Sequence, residues 1–581
     1  MTCVRHFCRG GVLVLCAVLA GTAWTTAARA ANAPEVRRES TAPPHRALAA
    51  IDGRDFLHHI EILSSDGFEG RSPGTHGEAV TVDYLERQFR AIGLRPGSPD
   101  GAYTQRVPMT GFTSHPQASI AVGARRIELH FPEDFVAFSP VRRSRVEIPS
   151  SQLVFVGYGV IAPEYGWNDY KGLDVRGKTL VMLINDPPVP DPNDPSKLDP
   201  KMFGGKAMTY YGRWTYKYEI ASKLGAAAAI IVHETGPAAY PYSVVVNSFG
   251  HENFTLKGEP PSESYPTVAG WITHERAQEL FAACGLDFEQ MKKAAVSREF
   301  RPVPLKARMH FTIDNTWEDI ESHNVVGRVE GSDPKLRSQY VIYTAHWDHF
   351  GWDPKLPGGK HEQIYHGARD NASGVAALLE LARAYEALPR SPKRSILFIA
   401  TTGEERGLLG ARYYARHPLY PLRDTAADIN MDVMPTWGRT RDVELISAGK
   451  SNIDDTVRAE AHALGMVVEP DLHPERGTVY RADQLEFARV GVPVVYLHDG
   501  LQVIGKPAGF GEHQEDDYIA HHYHQVTDVI DPRWDLSGAV QQIDLLFRIG
   551  YSIAQTAAYP QWNPDAEFRA VREKTMQTPA P

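Results

Sequence analysis

Cysteine is nearly missing from this chain of 581 residues: there are four, and three of them, Cys3, Cys8 and Cys16, fall near the start. Arg5 and Arg9, an apolar run over 11–20 and the small residues of Ala28-Arg29-Ala30 read together as a secretory signal, residues 1–30, cleaved after Ala30. The run is too short for a comfortable membrane anchor, which takes about 20 apolar residues. Leu15 before Cys16 argues against a lipoprotein. Cleavage leaves Cys284 alone, which excludes an intramolecular disulfide. Cys284 ends the apolar stretch Leu280-Phe281-Ala282-Ala283-Cys284 and reads as a small buried hydrophobe, not a nucleophile. An exported, periplasmic or secreted, chain without disulfides must be held by its core, by metals or by both. Excess positive charge is also missing. Lys and Arg total 61 against 71 Asp and Glu, a formal charge of −10, which excludes the basic face a nucleic-acid binder needs. No membrane span is expected after signal cleavage, and no internal repeat or low-complexity tract is found.

What is present is the mix of a soluble globular protein, 43% hydrophobic and 23% charged. The length suggests two to four domains at roughly 100–200 residues each. Residues 31–48 are polar, contain Pro34, Pro43 and Pro44, and read as a flexible leader. Over 49–149, Phe56, Ile60 and Leu63 mark one helix face, and Val82, Leu85, Phe89 and Ile92 another that Gly93 and Pro96 stop. Residues 153–161 and 177–184 read as strands, 217–224 as a helix and 226–232 as a buried strand. This block, 150–307, shows no His/Asp/Glu cluster with ligand spacing and reads as a separate β-rich domain. Over 308–558 the pattern alternates: strands at 341–345, 395–400, 427–431 and 492–497, with helices from Val375 and over 408–417 between them. Such alternation implies an α/β fold with helices on both faces of a sheet. Residues 559–581, with four prolines, read as a loose tail.

The chemistry-bearing residues fall at or just beyond the predicted strand ends, where sites form in open α/β sheets. His346 follows the first strand, Glu404 and Glu405 the second, and Asp432 the third. Asp370 opens the helix after Gly367-Ala368-Arg369. Imidazole and carboxylate suit zinc. Two zinc ions about 3.5–4 Å apart can clamp the attacking and leaving oxygens of a hydrolysis. That chemistry takes a bridging carboxylate, a His and a carboxylate for each metal, and one free carboxylate to shuttle protons. The adjacent Glu404 and Glu405 suggest such a division of labour.

His346-Trp347-Asp348, Asp370-Asn371-Ala372-Ser373-Gly374, Gly403-Glu404-Glu405-Arg406-Gly407, Asn430-Met431-Asp432 and Tyr523-His524 with Asp528 resemble, in order, the motifs of the M28 family of zinc aminopeptidases and carboxypeptidases. Val156-Gly157-Tyr158-Gly159 and Asp169-Tyr170-Lys171-Gly172 resemble the protease-associated domain inserted in many of them. The resemblance implies a mixed central sheet flanked by helices, of zinc exopeptidase type, with an inserted β-rich protease-associated domain at 150–307. It implies two zinc ions per chain, one held by His346 and Asp432, the other by Glu405 and His524, with Asp370 bridging. It makes Glu404 the general base and acid. Asp348 would orient His346 through its other ring nitrogen. Tyr523 would donate to the oxyanion, and Arg481 would contact substrate. Ala482-Asp483-Gln484 departs from a common Ser-Asp-His, which weakens the parts of Arg481 and Asp483.

Each residue has a plainer alternative. Asp370 could be a helix N-cap and the Glu pair a solvated helix start. His524 competes with His513, His521 and His522 beside it; His349 and His366 read as loop residues. The expected function is exported exopeptidase cleavage of peptide substrates, aminopeptidase favoured. A carboxypeptidase, an inactive receptor-like relative and a single-zinc glutaminyl cyclase are the alternatives.

Overall fold

A computed structural model describes residues 43–577; the signal segment and most of the leader lie outside the described residues. The strands that matter here are β1 Thr104–Val122, β2 Phe135–Phe138, β3 Arg145–Phe155, β4 Thr179–Leu183, β5 Ala228–His233, β6 Val268–Thr273 and β7 Val303–Val329. They continue as β8 Tyr340–His346, β9 Ser395–Thr401, β10 Thr425–Asn430, β11 Asp442–Leu445, β12 Val467–Pro470 and β13 Val494–His498. Twelve of them run side by side in one mixed sheet, in the order β12-β11-β13-β10-β8-β9-β7-β3-β4-β5-β6-β2. β1 lies off this path and pairs antiparallel with β7.

β8, β9, β10 and β13 are mutually parallel. Every residue of β8, β9 and β10 is buried, as expected of parallel strands covered on both faces. Helices α1 Gly53–Leu63, α2 His76–Ile92, α3 Trp214–Lys223, α4 Tyr242–Phe249, α5 Gly374–Glu386, α6 Leu409–Arg416, α7 Phe510–His521 and α8 Ser537–Gln555 complete the frame. Leu85, Phe89, Leu378, Leu379, Leu546 and Phe547, from α2, α5 and α8, pack on one face of the sheet around Tyr343 and Phe398. Ala411 and Tyr414 of α6 pack on the other with Ile342 and Ile399. The expected mixed sheet with helices on both faces is what forms.

β7 is the joint of the molecule. Its first half pairs with β3 and its last residues with β9. On the β3 side, β4, β5 and β6 run parallel and carry their own apolar cores, one around Phe155, Phe281 and Phe311 and one around Tyr218, Ile231 and Trp271.

Five expectations change. The strand read over 153–161 stops at Phe155, because Gly157 and Gly159 take φ of +58° and +66° and turn the chain. The leader is folded from His45, where a turn of helix places Ala47 in the core against α5. The C-terminal stretch is held too: Trp562 donates to Gly491 O at 2.8 Å, and Arg572 in helix Arg569–Gln577 donates to Leu422 O and Thr425 O. Glu234, His274 and Glu289 of the inserted block do converge. Residues far apart in sequence meet there around Lys292, which ion-pairs with both glutamates. Cys284 is only half-buried. Among the described residues no helix is long and apolar enough to cross a membrane.

Candidate active site

Four of the expected residues sit where parallel strands end. His346 is the last residue of β8, Glu404 and Glu405 form a single turn just past β9, and Asp432 lies two residues past β10. Gly403 and Gly407, with φ of +66° and +107°, bracket the glutamate turn and let the chain reverse sharply on either side of it. Asp370 lies in an irregular turn whose φ/ψ of −108°/98° is extended; the regular helix begins only at Gly374. His524 follows α7 with φ +56°.

These five stations meet. Asp370 lies between the two histidines: its Oδ1 is 3.3 Å from His346 Nε2 and its Oδ2 is 3.4 Å from His524 Nε2. Asp432 Oδ1 is 3.3 Å from His346 Nε2, and Glu405 Oε2 is 3.1 Å from His524 Nε2. Glu404 stands further off, 3.9 Å from His346. The arrangement is two His–carboxylate pairs about a shared Asp, with one carboxylate left over. His346, Asp370 and Glu405 bring ligand atoms within 4.8 Å of one another.

The electrostatics are those of an acid cluster taken out of water. Burial raises Glu404 well above the ordinary carboxylate range, with Asp432 and Glu405 adding to it against the pull of His346. Burial raises Asp432 as well. Asp370 goes the other way: burial disfavours its charge, but His346 and His524 outweigh that and hold it well below the usual range. Glu405, opposed by burial but drawn down by His524 and His349, falls to about 2. Among the described residues, no Lys or Arg ion-pairs with any of these four carboxylates. Buried charge of one sign without a partner is costly, and nitrogen and oxygen donors in this arrangement fit divalent zinc.

Comparison with known proteins agrees with this geometry. Residues 324–547 match the model of Peptidase family M28. This stretch is an M28 peptidase domain. The chain is 33% identical over 202 residues to the mouse protein named Aminopeptidase NAALADL1, covering 32% of this chain and 24% of that one. It is 30% identical over 148 residues to Aminopeptidase YwaD of Bacillus subtilis (strain 168), covering 25% and 29%. It is 37% identical over 190 residues to a Probable zinc metalloprotease of Pyrenophora teres f. teres (strain 0-1), covering 32% and 36%. The chain thus spans about a quarter to a third of the length of these curated relatives. A solved aminopeptidase from Aneurinibacillus sp. strain AM-1 shares the fold, with a TM-score of 0.51 at 19% identity over 89% of this chain and 97% of that one.

Several residues that support the centre of the M28 domain were not read from sequence. His349, taken as a loop residue, is fully buried and its Nδ1 shares a 2.6 Å hydrogen bond with Glu405 Oε1. Arg71 donates to the main-chain oxygens of Leu63, Trp347, His366 and Gly367, tying together the loops that follow His346 and precede Asp370. Ser248 Oγ lies 3.2 Å from His524 Nδ1, and Asn247 donates to His524 O at 2.8 Å; both come from α4, in the inserted block. Only the short-range signal of a His directly after His346-Trp347-Asp348 could have pointed to His349.

Asp348 acts differently from expectation. His346 Nδ1 lies 3.2 Å from the main-chain oxygen of Asp348 and 3.7 Å from its carboxylate. That carboxylate instead accepts from the amides of Glu404 and Glu405 and so fixes the glutamate turn. Asp528 accepts from the amides of Arg369 and Asp370, so it holds the Asp370 turn and not His524. Asp483 is buried and accepts from Thr401, while Gln484 accepts from Asn430 at 2.8 Å. His366 bonds to Ser64 O and His361 O through its two nitrogens and is structural. Tyr523 stacks on His524 with centroids 3.8 Å apart. Tyr523 and Arg481 both line the cavity, of about 230 Å³, that opens onto Asp370, Glu404, Glu405, Asp432 and His524.

Proposed function

We propose that this chain is an exported zinc exopeptidase that hydrolyses peptide bonds, removing N-terminal residues. The observation that carries the reading is Asp370 set between His346 and His524, each with its own carboxylate, and Glu404 left without a place in either pair. On this reading two zinc ions are held, one by His346 and Asp432 and the other by Glu405 and His524, with Asp370 shared. When bound, zinc supplies Lewis acidity toward water and the scissile carbonyl.

The chain's own residues do the rest. Glu404 accepts the proton of the attacking water and delivers it to the leaving amine. His349 and Ser248 orient Glu405 and His524, and Asp348 keeps the glutamate turn in register. Tyr523 offers its hydroxyl to the oxygen that gains charge in the tetrahedral intermediate. The cavity walls exclude bulk water, which strengthens each of these interactions. Residues 49–149 with 308–558 form the catalytic part, and 150–307 a protease-associated lobe that also supplies part of the cavity wall. Residues 1–30 direct export.

Glu404→Gln tests the mechanism: cleavage of aminoacyl anilides should fall at least about 10²- to 10⁴-fold while elemental analysis still finds the metal content of the parent. Full activity in this variant sinks the reading. A content of one zinc per chain with cyclisation of N-terminal Gln peptides would replace it by a cyclase.

A further inference from the structure

The cavity above the acidic centre is rich in arginine, and most of these side chains are neutralised by a carboxylate. Arg369 pairs with Asp499 at 2.6 Å, Arg476 with Glu515 at 2.9 Å and Arg489 with Glu486 at 3.3 Å. Arg412 lies 3.6 Å from Glu486, and Arg406 faces Glu405 and Glu252. Arg213 and Arg481 have no carboxylate facing them: neither forms an ion pair among the described residues, and the Nε of each, like those of Arg406 and Arg412, is buried without a hydrogen-bond partner. Arg213 is 8% exposed, and its surroundings are the ring of Trp214 at 6.0 Å, Tyr210, Tyr240, Tyr523 and Arg481 itself. Arg481 has one hydrogen bond, to the main-chain oxygen of Ala238, and lies over the ring of Tyr240 at 5.2 Å.

Two like charges that line one cavity, one of them buried, are costly unless an anion joins them. Burial, with Arg481 adding to it, pushes Arg213 down to about 10, so it remains cationic at neutral pH. The pair is also close to the chemistry. Arg213 and Arg481 line the same cavity as Asp370, Glu404, Glu405, Asp432 and His524, and so does Tyr523, which stacks on His524. An arginine fork matches a carboxylate in shape and charge.

We propose that Arg213, from the inserted block, and Arg481, from the M28 domain, form a carboxylate-binding subsite, so that the preferred substrate presents a carboxylate to it. This rests on the peptidase reading and specifies its substrate class. The carboxylate has two sources: the C-terminus of a short peptide, or an acidic side chain near the scissile bond.

The test uses the full zinc-loaded chain. kcat/KM is measured for Ala-Ala against its C-terminal amide, and for C-terminally amidated peptides carrying Asp against Asn and Glu against Gln in the first two positions. The expected result is a preference of about 10- to 100-fold for the charged member of one set. A preference in the first set assigns the subsite to the C-terminus, and one in the second to a side chain. In Arg213→Met the preference should collapse toward unity, through a loss for the charged substrate, and in Arg213→Lys part of it should return. Arg481→Met serves if Arg213→Met does not fold. Binding of the same ligand pairs to Glu404→Gln, read by calorimetry, separates this proposal from the peptidase reading, because it needs no turnover. Equal affinity for acid and amide in every set, or a preference that survives Arg213→Met and Arg481→Met, overturns the subsite. Tight, arginine-dependent binding without any cleavage by the parent overturns the peptidase reading alone.

Discussion

His59 lies on α1 with 6% of its surface exposed, and its Nδ1 shares a 2.5 Å hydrogen bond with the hydroxyl of Tyr84 on α2. Burial, helped by the charges of His58 and Arg383, lowers its pKa from 6.5 to about 4. Protonation therefore favours the unfolded chain between these values. The stabilisation is complete above pH 6.5 and is lost as pH falls through 6.5 toward 4. Between pH 7 and pH 5 the linkage amounts to about 2 kcal/mol. Urea unfolding at the two pH values should show the parent losing that much more than His59→Gln. Equal losses in the two proteins would show that this histidine does not titrate with folding. Asp348 illustrates the same scale at the active site: one buried carboxylate, by accepting two successive amides, decides where Glu404 and Glu405 stand.

Among the elements, α4 has the most consequence for its length. It belongs to the inserted block by sequence, yet Ser248 meets His524 and Asn247 holds the main chain of the same residue, 276 and 277 positions away. Arg406 of the glutamate turn also donates to Ser248 O at 2.7 Å. If His524 is a zinc ligand, Ser248→Ala removes the partner of its other ring nitrogen. Zinc affinity should then fall about 10- to 100-fold, as measured by chelator competition, with Ser248→Thr retaining most of it. An unchanged affinity would leave Ser248 a packing contact only. This element also marks how far the sequence is legible. β8, β9 and β10 were readable because continuous apolar runs end in His346, Thr401 and Asn430, and each strand end carries its functional residue within three positions. Leu153 onward was over-read because an apolar run does not reveal that Gly157 and Gly159 turn. Ser248, Arg71 and Arg213 were not legible at all: their roles are set by partners from remote segments, and no local period encodes those.

At the scale of the molecule, β7 makes the two halves one hydrogen-bonded sheet, and the cavity takes walls from both: Arg213 and Ser248 from the β3 side, Glu404 and Asp432 from the β9 side. The acidic centre is therefore also a structural element. Asp370, Glu404, Glu405 and Asp432 crowd together, and among the described residues their ion-pair partners are imidazoles. Bound cations would convert this repulsion into attraction and hold His524, and through it α4, against the strand ends. A ligand that binds only the folded chain stabilises it by about 2.7 kcal/mol per site when its free concentration is a hundred times Kd. With two sites of that strength, removing the metal costs about 5 kcal/mol. Stripping metal with EDTA and removing the chelator should lower Tm by several degrees, and added zinc should restore it. The same treatment should speed proteolysis in α4 and the segment around His524 before it affects β8 and β9, because bound metal would tie the first pair to the centre while the sheet holds the second. A Tm indifferent to chelation, in protein shown to have carried zinc, would mean that the repulsion is relieved by protonation and that the centre contributes nothing to holding the halves together.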